Sequence, residues 1–138
     1  LNPPDIHYYA AASYVAEYGL PANDREYNQH LWALPSNEKR KIPFVKQILK
    51  HIDEEQIIYQ SNHFPNIHNA VIVGMAIGQM GVHHANKCDN LQKLDIQFDT
   101  ALEGIWFVYH KDLKNSARIQ ALFGFLEQSL GSLPLSKL

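Results

Sequence analysis

The sequence predicts an α/β fold: a mixed, mostly parallel sheet with helices on both faces, followed by a C-terminal helix. Three observations carry this expectation. Short β-branched and aromatic runs alternate with segments of helical period along the chain. Prolines and glycines punctuate the boundaries between them. Hydrophobic residues make up 46% of the 138 positions and charged residues 19%, which suits one packed core and excludes a disordered chain.

The elements follow in order. Ile6 to Ala10 reads as a strand and Ala11 to Tyr18 as a helix, with Gly19 as its stop and Pro21 beyond. Asn23-Asp24-Arg25-Glu26 has capping-box spacing, Asn23 capping and Glu26 reaching back. His30 to Leu34 reads as a buried strand and the polar run Ser36 to Lys41 as a loop. Pro43 opens a helix reaching about His51, with Phe44, Val45, Ile48, Leu49 and Ile52 on one face. Gln56 to Gln60 is a strand, Pro65 to Gly74 a helix, and Met75 to Met80 a strand containing Gly78. Val82 to Lys87 is a turn of helix. By β-propensity the strongest strand is Ile105-Trp106-Phe107-Val108-Tyr109. Asn115 or Ser116 then caps a helix to Leu130 with a stripe of Ile119, Leu122, Phe123, Leu126 and Leu130. There is no internal repeat and no low-complexity segment.

Charge and composition exclude several function classes. The formal net charge is −2, and the densest basic run is only Lys39-Arg40-Lys41, preceded by Glu38. Duplex binders carry a basic face, because phosphate neutralisation supplies most of their affinity; this chain is not expected to bind DNA by itself. The apolar runs fall far short of a membrane span, so no membrane partner is expected. The single cysteine, Cys88, allows no internal disulfide and fits a reducing compartment. The opening Leu1-Asn2-Pro3-Pro4-Asp5 has neither an initiator Met nor a charged segment before an apolar one, and reads as the start of a piece of a longer protein.

Ser61-Asn62-His63-Phe64-Pro65 is the sharpest binding candidate. It sits where a strand ends and a helix begins, where unbonded N–H groups and the helix dipole attract anions. Ser61 and Asn62 would serve equally as plain N-caps, and Phe64 either lines a ligand cleft or staples the helix start. His83, His84 and Cys88 carry donor types suited to zinc or copper. Adjacent histidines diverge, however, and His63 and His68 sit off-face on their helix, so neither a metal site nor any cofactor is expected. No nucleophile elbow occurs, and the pairs Glu54-Glu55 and Asp95/Asp99 lie in polar connections. Gly74, Gly78 and Gly81 follow a helix, unlike a dinucleotide fingerprint. Trp106, Phe107 and Tyr109 lack the interleaved basic residues of a stacking platform. The chain therefore reads as a non-enzyme.

Three stretches, in order, carry a resemblance. Tyr9 to Pro21 (YAAASYVAEYGLP) matches a Ser-Pro-x-Tyr-Leu-x-x-x-Gly-x-Pro pattern at Tyr14, Gly19 and Pro21, with Ala11 and Ala12 in place of Ser-Pro. Ser61 to Gly81 (SNHFPNIHNAVIVGMAIGQMG) follows Ser-Asn, a helix ending Ala-Val-x-x-Gly, then a Gly-Ile-Ala-Leu-Leu-Pro strand, with Met75 for the first Gly and Gly81 for the final Pro. Gly104 to Leu130 (GIWFVYHKDLKNSARIQALFGFLEQSL) follows a closing strand, a polar link and a Ser-x-x-Val-x-x-Phe-x-x-Phe-Leu helix. Together they resemble the effector-binding domain of LysR-type transcriptional regulators, which is similar to a two-lobed periplasmic binding protein.

The resemblance implies that residues 1–110 form the second lobe and 111–138 the crossover link, C-terminal helix and tail. The first lobe and the winged helix-turn-helix lie outside this chain. It implies a cytoplasmic, homo-oligomeric parent that binds a small effector between its lobes and reaches DNA only through the N-terminal domain. The helix-dipole argument makes that effector anionic. Effector contacts fall to Ser61, Asn62, His63 and Phe64, with Tyr109 beside the strand that crosses between lobes. The alternative is a solute-binding module of a periplasmic-type transport protein.

Overall fold

The computed structural model describes residues 5–96 and 108–130. The chain divides into two compact units, Asp5–Thr100 in one and Leu1–Pro4 with Ala101–Leu138 in the other.

The first unit is built on strands β1 (Ile6–Ala11), β2 (Trp32–Pro35), β3 (Ile57–Ser61), β4 (Ile77–Gly81) and β5 (Leu91–Lys93). They form one mixed sheet in the order β3-β2-β4-β1-β5. β2 runs parallel to β3 and β4, whereas β1 runs antiparallel to β4 and β5. The helices are α1 (Ala12–Tyr18), α2 (Pro43–Leu49), α3 (Phe64–Ile72) and α4 (Val82–Ala85). Both the fold class and the alternation of elements agree with the sequence expectation.

Strand alternation explains why both faces are covered. Tyr9 and Met80 pack with Val71 of α3 and Ala85 of α4, and Ala33 and Ala76 pack with Ile67 and Ala70 of α3. Tyr8, the next residue of β1, faces the other way and donates its hydroxyl to the Phe44 carbonyl of α2 at 3.3 Å. Trp32 joins that layer: its ring meets Tyr8 and Tyr27 edge-on, and its indole N–H donates to the Tyr27 carbonyl at 2.8 Å. Gly78 shows how tightly α3 lies on the sheet. A Cβ there would meet Val71 Cγ2 at 2.7 Å and the Ala33 carbonyl at 3.0 Å, so the smallest residue is required. Gly74 ends α3 at φ 79°, and a side chain there would strike Ser13 Oγ at 2.2 Å.

Local expectations hold with small shifts. Asn23 accepts the Arg25 N–H as a cap, while Glu26 reaches back to the Ala22 N–H, one residue before the cap. Two readings need correction. Asn37–Lys41 is a 3₁₀ helix and not a loop, closed by the Ile42 N–H on the Lys39 carbonyl and the Lys41–Glu38 pair. β5 has no counterpart among the expected strands: Leu91-Gln92-Lys93 has little apolar pattern, and it exists because the edge of β1 offers Ala11, Ala10 and Tyr9 as partners.

In the second unit, a 3₁₀ turn at Lys111–Leu113 precedes α5 (Ala117–Leu130). The Gln120 side chain donates to the Lys114 carbonyl at 2.6 Å, and the Gln120 N–H to the Ser116 carbonyl at 3.0 Å. Leu122 is 45% exposed and Phe125 64%. Of the strand expected at Ile105 to Tyr109, residues 105–107 lie outside the described residues, and Val108 and Tyr109 have irregular backbone.

Candidate functional site

Because β2, β3 and β4 are mutually parallel in order, their carboxyl ends emerge at one edge of the sheet. The antiparallel β1 brings its start to the same edge, where the Asp5 carbonyl accepts the Val82 N–H at 2.9 Å. This is the edge at which ligands gather in open α/β sheets.

Ser61 ends β3, and its carbonyl accepts the Ser36 N–H at 3.1 Å, tying the two strand exits together. Its half-buried Oγ accepts the His63 N–H at 3.1 Å and the Asn66 amide at 3.2 Å. The expectation that Ser61 or Asn62 caps the helix is corrected: α3 starts at Phe64, His63 holds the cap position, and no side chain caps it. Ser61 instead stiffens the turn. Pro65 has no N–H, and the N–H groups of His63 and Asn66 are engaged by Ser61 Oγ and the His63 carbonyl. The helix end thus has fewer open donors than the sequence pattern implies.

A cation makes up the difference. Lys39, on the 3₁₀ turn after β2, donates to the Asn62 carbonyl and holds its ammonium 4.7 Å from the Phe64 ring centroid. Its two basic neighbours are neutralised, Arg40 by Glu54 and Lys41 by Glu38. Among the described residues Lys39 has no carboxylate partner. The exposed Asn62 side chain makes no hydrogen bond to a described residue. His63 is exposed and Phe64 half-buried. Lysine, amide, imidazole and ring therefore share one patch, which can pair with an anion, hydrogen-bond it and cover an apolar portion.

The structure thus brings Ser61, Asn62, His63 and Phe64 together. Tyr109 belongs to the other unit and is 38% exposed. Sequence reasoning misses Lys39, because a short basic run points by itself only toward a nucleic-acid surface. Among the described residues no group of three or more His, Cys, Asp or Glu side chains is disposed to hold a metal. No described helix is long and apolar enough to cross a membrane.

No family model matches the sequence, and no curated protein matches it significantly. Among solved structures, the chain is similar to CrgA, a LysR-type transcriptional regulator from Neisseria meningitidis. The TM-score is 0.67 at 16% identity, over 96% of this chain and 47% of that one. It is also similar to the CrgA regulatory domain, with TM-score 0.66 at 16% identity, over 95% of this chain and 67% of that one. The chain spans about half the length of the first of these proteins. It therefore has the fold of the regulatory domain of a LysR-type transcriptional regulator.

Proposed function

We propose that this chain is the effector-sensing part of a LysR-type transcriptional regulator and has no catalytic role. In this reading a small anionic molecule binds at the carboxyl edge of the sheet against Ser61, Asn62, His63 and Phe64, with Lys39 as its counter-charge. Binding shifts the balance between two arrangements of a cytoplasmic homo-oligomer, and DNA is held by a winged helix-turn-helix in another part of the parent protein. The observation that carries the reading is Lys39: a cation without a carboxylate partner among the described residues, placed on Asn62 and Phe64 at the strand exits.

Asn62→Ala separates binding from folding. The residue caps nothing, so its loss should change stability by no more than about 0.5 kcal/mol. Loss of a hydrogen bond to a charged group costs roughly 1.5–3 kcal/mol, about ten-fold or more in affinity. Acetate, succinate, benzoate and inorganic phosphate serve as probes in calorimetry. The expected result is saturable binding of at least one probe, weakened in Asn62→Ala and Lys39→Ala while urea midpoints hold. Binding unchanged in both variants would place the effector elsewhere.

A further inference from the structure

Two histidines from different helices meet beside this edge. His68 of α3 and His84 of α4 have ring centroids 5.2 Å apart at an interplanar angle of 51°. His68 Nδ1 is buried and has no hydrogen-bond partner among the described residues. A buried nitrogen left without a partner is costly, and such atoms are few in folded proteins. The backbones that carry the rings are anchored: Ile67 and Val71 flank His68 and are fully buried, and Ala85 next to His84 is 6% exposed.

We propose that His68 and His84 form a two-histidine site for a divalent transition metal of the zinc, copper or nickel type, with water completing the coordination. Imidazole nitrogen is the donor these ions prefer. The spacing fits as well. With metal–nitrogen bonds of about 2.0–2.1 Å and a ring nitrogen roughly 1.2 Å from its centroid, two imidazoles on one tetrahedral ion have centroids about 5.2 Å apart. A bound ion would engage the orphaned nitrogen and tie α3 to α4, with both ring positions set beforehand by the packing beneath them. His83 lies next to His84 on the four-residue α4 but takes no part in the ring contact, which makes it an internal control.

The test is titration of the tag-free protein with Zn²⁺ alone, followed by calorimetry and by the histidine-ring NMR signals. One ion per chain should bind, with the His68 and His84 rings shifting together. His68→Ala and His84→Ala should each weaken binding by about ten-fold or more, while His83→Ala binds as the original does. His84 is exposed, so His84→Ala should retain its melting temperature and remain informative even if His68→Ala folds poorly. No saturable binding, or binding that survives His84→Ala, would reduce the pair to an aromatic contact and overturn the proposal.

Discussion

The sheet of the first unit and α5 of the second use similar apolar residues to different ends. In the sheet layers Trp32, Tyr8, Ile67 and Ile77 are fully buried, and the polar atoms of Trp32 and Tyr8 have partners. In α5, Leu122 and Phe125 are 45% and 64% exposed on a helix of ordinary length. A helix closes its own backbone hydrogen bonds and needs only local sequence to do so. A strand needs neighbours, and the sheet therefore carries the cooperative stability of the chain. Large apolar side chains left in water forgo roughly 1.5–3 kcal/mol of burial each, so the exposed Leu122 and Phe125 of α5 offer a surface for association.

That contrast can be broken most sharply at Trp32. Truncation to alanine removes a fully buried ring, its contacts with Tyr8 and Tyr27 and its bond to the Tyr27 carbonyl. A loss of about 3–5 kcal/mol is expected in urea unfolding. Next comes Gly78→Val, whose Cβ would fall within 2.7 Å of Val71 and 3.0 Å of the Ala33 carbonyl. It should cost roughly 1–3 kcal/mol by forcing α3 off the sheet, and a neutral result would show that α3 packs loosely at this point.

A third effect appears with acid. His30 is 6% exposed, and burial lowers its pKa below the ordinary 6.5, opposed by Glu26. The Leu31 N–H donates to the Tyr14 hydroxyl, which also lies 3.1 Å from His30 Nδ1. Burial favours the neutral form of His30. The unfolded chain binds the proton more readily than the folded one, so stability is fully present above pH 6.5 and falls as pH drops toward the folded pKa. His30→Asn keeps an acceptor near the Nδ1 position without titrating in this range. Melting curves between about pH 7.5 and 5 should lose part of their slope in that variant, and an unchanged slope would assign the acid limb to other groups.

The smallest effect on stability, and the most direct on association, is expected at α5. Phe125→Asp should shift unfolding by no more than about 0.5 kcal/mol, because the side chain is exposed. Equilibrium sedimentation at micromolar concentration should show the original chain self-associating and the Phe125→Asp and Leu122→Asp variants monomeric. A monomeric original chain would show that α5 is not the contact and would weaken the homo-oligomer reading.

Most of the candidate patch is legible in the sequence alone. Ser61 to Phe64 stands out because a strand, a turn and a proline-started helix leave a local pattern. Lys39 does not, since its meaning depends on Asn62 and Phe64, which reach it only when β2 and β3 lie side by side. The histidines show the same limit. Cys88 lies near His84 in sequence, yet it is His68, from another helix, that meets the ring.

The sequence by itself determined the punctuation: Gly19 as a helix stop, Pro43 and Pro65 as helix starts, and the buried face of α2. These follow from backbone sterics and from a periodicity contained in a few consecutive residues. Only the tertiary structure decided the antiparallel run of β1, the existence of β5, which residue tightened the Ser61 turn, and where the unneutralised lysine came to rest. Each of those depends on hydrogen-bonding groups or charges brought together from distant parts of the chain, and no local pattern encodes which partner will arrive.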